Sequence, residues 1–163
     1  MKTKKIAFLS ISVALAMVFS FIESLIPPLV AIPGIKIGLA NLVIVVLLYK
    51  FDVFYASSVS FVRIILSSLL FGNLQVFVFS LAGGVLSILG MLALKKLKFS
   101  HITVSVVGGV LHNLGQISVA VFWTQTPQIV FYLPVLLVSG TVAGAVIGLL
   151  SGLVAKRLEK IDI

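Results

Sequence analysis

The sequence contains no cysteine, which removes both a disulfide framework and a thiolate metal site. Acidic side chains are nearly as scarce. Glu23, Asp52, Glu159 and Asp162 are the only four, and no two of them stand at a metal-ligand spacing. No phosphate-binding Walker loop, no HExxH and no serine nucleophile elbow occurs anywhere in the chain. The sequence therefore offers no enzyme motif, no cofactor site and no ATPase of its own. If it transports, the energy comes from an ion gradient or from a partner. Charge as a whole is sparse, at 10% of residues, against roughly a quarter in an ordinary globular chain. That excludes a soluble domain, and no hydrophilic stretch is long enough to form a second domain beside the apolar one, so residues 1–163 read as a single membrane domain.

What is present is a series of long apolar runs punctuated by basic residues. The runs are Ile6–Ile26, Ile35–Tyr49, Val53–Phe71, Leu74–Leu94, Ile102–Trp123 and Ile129–Ala155. Ten of the twelve Lys and Arg fall at alternate run ends: Lys2, Lys4 and Lys5; Lys50; Lys95, Lys96 and Lys98; Lys156, Arg157 and Lys160. Positive residues beside membrane spans mark the cytoplasmic side. Six transmembrane helices with both termini cytoplasmic explain this pattern, and the fold class is an all-α membrane protein. The formal net charge of +8 does not indicate nucleic-acid binding, because DNA demands a solvated basic face and these charges are dispersed. The three Tyr and one Trp give an independent check. Tyr49 and Tyr55 flank the inner turn, Trp123 and Tyr132 the outer loop, where amphipathic rings meet the headgroups.

The first run is 21 residues long, above the roughly 7–15 of a signal-peptide core and long enough to cross a bilayer. The second run is short and interrupted by Lys36 and Gly38, with Asn41 inside it. It reads as a short or broken helix fed by a partly re-entrant outer loop from Pro27 to Lys36. Irregular backbone at membrane depth is tolerated only where protein or a water-filled cavity covers it, so this region points to a site. In the last run Gly140, Gly144, Gly148 and Gly152 recur every fourth residue along one helix face, a surface for close helix packing. Ser10/Ala14 and Ser12/Ala16 repeat that spacing in the first run, either for internal packing or for docking a partner subunit.

Polar residues inside the runs are the candidate binding residues. Arg63 stands near the middle of the third run, with Ser60 and Ser67 on its face. An arginine at a helix centre costs roughly 2.5–3.5 kcal/mol, so it needs a partner: Glu23 in a buried ion pair, an anionic or polar ligand, or each in turn. His112, Asn113 and Gln116 cluster in the fifth run, which suits ligand lining or proton handling. With Asn41, Glu23 and Gln75 they lie from mid-membrane to the outer surface, and a cavity open to the outside is the expectation.

The segment Pro33-Gly34-Ile35-Lys36-Ile37-Gly38-Leu39-Ala40-Asn41, with Val62-Arg63, Leu111-His112-Asn113 and Gly115-Gln116, resembles the bacterial Gx transporter family across essentially the whole chain. Members are often labelled heptaprenyl diphosphate synthase component I and are similar to the substrate-binding S components of energy-coupling factor (ECF) transporters. The resemblance implies a six-helix bundle in the bacterial plasma membrane, among membrane lipid, that captures a small-molecule substrate outside. It implies hand-over to a membrane coupling subunit driven by two cytoplasmic ATPases, met through small residues of the first helix (here Ser10, Ser12, Ala14 and Ala16). The label also admits a prenyl synthase subunit as partner. Prenyl-chain elongation uses Asp-rich motifs that hold magnesium and diphosphate, and Asp52 and Asp162 are the only aspartates here. The alternative function is thus a non-catalytic accessory role in polyprenyl diphosphate or menaquinone biosynthesis, where Arg63 and Lys36 would suit a diphosphate.

Overall fold

The computed structural model describes residues 2–26, 37–158 and 160. Helix α1 spans Lys2–Leu25, α2 Leu39–Lys50, α3 Val53–Phe71, α4 Leu74–Lys96, α5 His101–Thr124 and α6 Leu133–Leu158, with a 3-10 turn at Pro127–Tyr132 leading into α6. Five of these helices are long and apolar enough to span a membrane, and α2, with 12 residues, is the shorter sixth. At about 1.5 Å per residue α2 covers about 18 Å, well short of a hydrocarbon core of about 30 Å.

Local chemistry sets the helix starts. Asp52 accepts a hydrogen bond from Val53 N–H at 2.6 Å, Asn73 from Val76 N–H at 2.9 Å and Ser100 from Thr103 N–H at 3.3 Å. Each is an N-cap, which satisfies one orphaned donor for about 1 kcal/mol. Two helix starts fall four residues inside their apolar runs. The second helix begins only at Leu39, because Gly38 holds a left-handed φ of 80° that a helix cannot continue through. The final run divides at Leu133. Pro134 lacks an N–H and is tolerated only in a helix's first turn, so α6 starts beside it and Pro127–Tyr132 forms a tighter turn. The expected re-entrant segment from Pro27 to Lys36 lies outside the described residues.

The short helix is the centre of the bundle. Helix α2 touches α1, α3 and α6, and Val43, Ile44, Val45, Leu47 and Leu48 are all buried, with Ile44, Val45, Leu47 and Leu48 at no more than 1% exposure. A helix apolar all round belongs in an interior. Ala16, Ala56, Val59, Met91 and Val104 complete this core from the neighbouring helices. The long helices turn apolar side chains outward instead (Leu69, Leu25, Phe122, Val138), as lipid-facing surfaces do.

Contacts at one end of the bundle fix the alternating direction of the helices. Lys5 of α1 lies 4.0 Å from the ring centroid of Tyr55 at the start of α3. Lys95, at the end of α4, donates to the Leu48 carbonyl near the end of α2. Lys50 donates to the Leu158 carbonyl at the end of α6 at 2.8 Å. Tyr49 stacks on His101, at the start of α5, with centroids 3.6 Å apart. Lys50 and Lys95 thus meet the unpaired carbonyls where α2 and α6 terminate, the negative end of each helix dipole. The basic residues named here share one end of the molecule, as the charge pattern required.

The glycine ladder is an internal seam. A methyl group on Gly144 would stand 2.6 Å from Val106 Cα, and one on Gly148 2.5 Å from Ile102 Cα, so α6 lies backbone-to-backbone against α5. Helix α4 meets α5 the same way, with Gly115 against the Ala82 carbonyl and Gly83 against that of His112.

Candidate functional site

At the end opposite the basic residues, all six helices diverge around a cavity of about 270 Å³. Glu23 of α1, Asn41 of α2, Arg63 of α3, and His112 and Asn113 of α5 line it. Five residues singled out in four separate runs thus share one wall system. Gln116 does not join them. It stands one turn further along α5, where its side chain packs on Gly83 in the α4–α5 seam. Lys36 lies outside the described residues.

Arg63 is enclosed by the bundle yet keeps partial exposure because it borders the cavity. Its Nε is buried and has no hydrogen-bond partner. Of the serines expected on its face, Ser67 lines the cavity, whereas Ser60 is buried in α3 away from it. The ion pair offered for Arg63 does not form: among the described residues no direct contact joins it to Glu23. Glu23 Oε1 instead accepts from the backbone N–H groups of Gly38 at 2.5 Å and Leu39 at 3.1 Å. The physical reason is the start of α2. The first N–H groups of a helix lack internal partners and sit at the positive end of its dipole, and Gly38 has no side chain to cap them. A carboxylate from α1 makes two charge-assisted bonds there.

Asn113 is largely a tie. Its Nδ2 donates to the Leu136 carbonyl at 2.7 Å, joining α5 to α6, and it rests against Gly140, where a methyl group would come within 2.9 Å of that nitrogen. The ring of His112 lies against Gly83 and faces the cavity. The remaining lining mixes hydroxyls (Ser20, Ser24, Ser80) with apolar Ile37, Phe71 and Ile147. Ser20 Oγ is buried without a partner, whereas Ser12, Ser57 and Ser118 bond back to their own helices at 2.7–2.8 Å. Ser20, Ser24 and Ser80 were not anticipated. The signal was there for two of them: Ser20, Glu23 and Ser24 fall at i, i+3 and i+4, which is one helix face. Gly109, Gly140 and Gly144 also border the cavity, so the missing side chains that close the seam also leave this space open.

The two small-residue pairs of α1 separate. Ser12 and Ala16 are buried, at 6% and 0% exposure, and Ser10 and Ala14 face outward. Only the second pair is open to a partner.

A family model described as heptaprenyl diphosphate synthase component I matches residues 12–154. The chain belongs to that family. The matched stretch runs from mid-α1 almost to the end of α6 and contains the described cavity lining. No curated protein and no solved structure matches the chain significantly. The component I family membership and the apolar helical bundle together identify a membrane component.

Proposed function

We infer that this protein is a non-catalytic, substrate-binding membrane subunit that captures a small metabolite in the cavity opposite its basic end and passes it to a partner. The observation that carries this reading is the buried, unpartnered Nε of Arg63, a residue that lines a partly open cavity. An ionised group held inside a membrane bundle without a protein partner is costly, and such residues mark ligand and ion pathways. Placing the basic end at the cytoplasm turns the cavity toward the outside of a bacterial plasma membrane, as capture requires. The outward face of Ser10 and Ala14 is then available to an ECF-type coupling subunit with its two ATPases.

The family's description favours a second reading, an accessory partner of a prenyl synthase subunit. The cavity supports it less well. About 270 Å³ lies at the small end of ligand pockets, which run from about 300 to 1,000 Å³, a size that suits a small metabolite better than a heptaprenyl chain. Mass spectrometry of what co-purifies with the tagged full chain in mild detergent, at native expression level, separates the two. A coupling subunit with two ATPases and a bound metabolite is the expected recovery. Recovery of a prenyl synthase subunit, with no metabolite, would replace capture by the accessory role. Substituting Ala for Arg63 and for His112 should each abolish metabolite retention; retention by both variants would remove the cavity from the reading.

A further inference from the structure

Among the described residues the cavity is lined by one fixed cation, Arg63, and one fixed anion, Glu23, that do not pair with each other. Arg63 leaves its Nε without a partner. Glu23 commits Oε1 to Gly38 and Leu39, and its second carboxylate oxygen accepts no hydrogen bond among the described residues. Both line the same space. In low-dielectric surroundings two opposite charges attract strongly and each is expensive alone. Their separation is maintained because Glu23 is anchored on the start of α2 by two hydrogen bonds, so it cannot swing to Arg63 without uncapping that helix.

We propose that the ligand is a small zwitterion of amino-acid size, with its acidic group on Arg63 and its ammonium on Glu23. This deepens the capture reading and rests on it. The guanidinium fork recognises a planar carboxylate by two parallel bonds. The free oxygen of Glu23 accepts from an ammonium, and the apolar wall of Ile37, Phe71 and Ile147 receives a side chain. The same arrangement selects against other charge types. A simple anion satisfies Arg63 but brings like charge toward Glu23. An amine satisfies Glu23 but faces Arg63. A diphosphate imports several negative charges into a space where the charges of the described Arg63 and Glu23 already cancel.

The test measures thermal stabilisation and equilibrium binding of the purified full chain in detergent, with four probes: free α-amino acids spanning small to aromatic side chains, the same acids N-acetylated, the corresponding decarboxylated amines, and inorganic diphosphate. The free amino acids should include a binder, with its N-acetylated and decarboxylated forms each weaker by about tenfold or more, the scale of one charged hydrogen bond. Glu23→Gln, close to isosteric, should reverse the preference so that the N-acetylated acid binds at least as well as the free one. Arg63→Lys keeps the charge but loses the fork and should weaken the carboxylate-bearing probes while sparing the amines. Stronger binding of the N-acetylated acid or of diphosphate by the unaltered protein would overturn the zwitterion and leave capture standing. An unchanged order of preference in Glu23→Gln would also overturn it. No response to any free amino acid, with a co-purified metabolite of another class, would do the same. No response and no co-purified metabolite would overturn both readings.

Discussion

The two ends of this bundle are built from the same six helices and solve opposite problems. At the basic end α2 is driven into the centre and every facing position is filled: Ile44, Leu47 and Leu48 are at 1% exposure against Ala16, Ala56 and Met91. Polar groups there close the helix ends, with Lys50 and Lys95 on helix-terminal carbonyls and Tyr49 donating to the Phe99 carbonyl at 2.8 Å, while the buried Ser105 Oγ in the second turn of α5 has no partner. At the other end the helices are held apart, small residues replace large ones, and the buried polar atoms Arg63 Nε and Ser20 Oγ lack partners. Helix α2 joins the two regimes, its first turn bordering the cavity and its last turns forming the core. One end is organised for stability, the other leaves capacity for something to be bound.

If that division is right, substitutions should sort by end. The largest loss of stability is expected for Leu47→Ala, which empties part of the core; about 2–5 kcal/mol is the usual cost, read as a lower thermal midpoint in detergent. Gly148→Ala comes next, because a methyl group there meets Ile102 backbone at 2.5 Å and the seam has no flexible side chain to yield. About 1–3 kcal/mol is expected for such overpacking. Gly38→Ala should cost about 1–2 kcal/mol through its left-handed φ, although open space surrounds the position: a methyl group there would meet nothing nearer than 4.0 Å. The smallest loss is expected for Asn113→Ala, about 0.6 kcal/mol on the scale of interhelical hydrogen bonds in membranes. A loss at Asn113 as large as at Leu47 would erase the distinction between the ends.

Much of the fold was legible in the sequence because a membrane imposes simple rules. The third run, Val53–Phe71, coincides with α3, and the alternation of basic clusters gave the direction of the helices. The glycine ladder announced a close seam but not its partner, since spacing shows a face and not what lies opposite. Two kinds of information were hidden. Whether a residue lines a cavity depends on its depth in the bundle as well as on its helix face, so His112 borders the cavity while Gln116, one turn further on and likewise against Gly83, does not. What a polar group is bonded to depends on neighbours distant in sequence, so Glu23 was matched by charge to Arg63 when the backbone of α2 outcompeted it. Ser12 and Ala16 went inward for a related reason: α2 is too short to span, and α1 and α3 pack against it.

Arg63→Met tests the division most directly. Measured together, the thermal midpoint of the ligand-free protein and the amount of co-purified metabolite report structure and capture separately. An arginine at the centre of a membrane helix costs roughly 2.5–3.5 kcal/mol, a cost that an apolar chain removes, so the expected result is an unchanged or raised midpoint with the metabolite lost. A midpoint lowered as far as by Leu47→Ala, or a metabolite retained in full, would show that Arg63 holds the bundle together instead of holding a ligand.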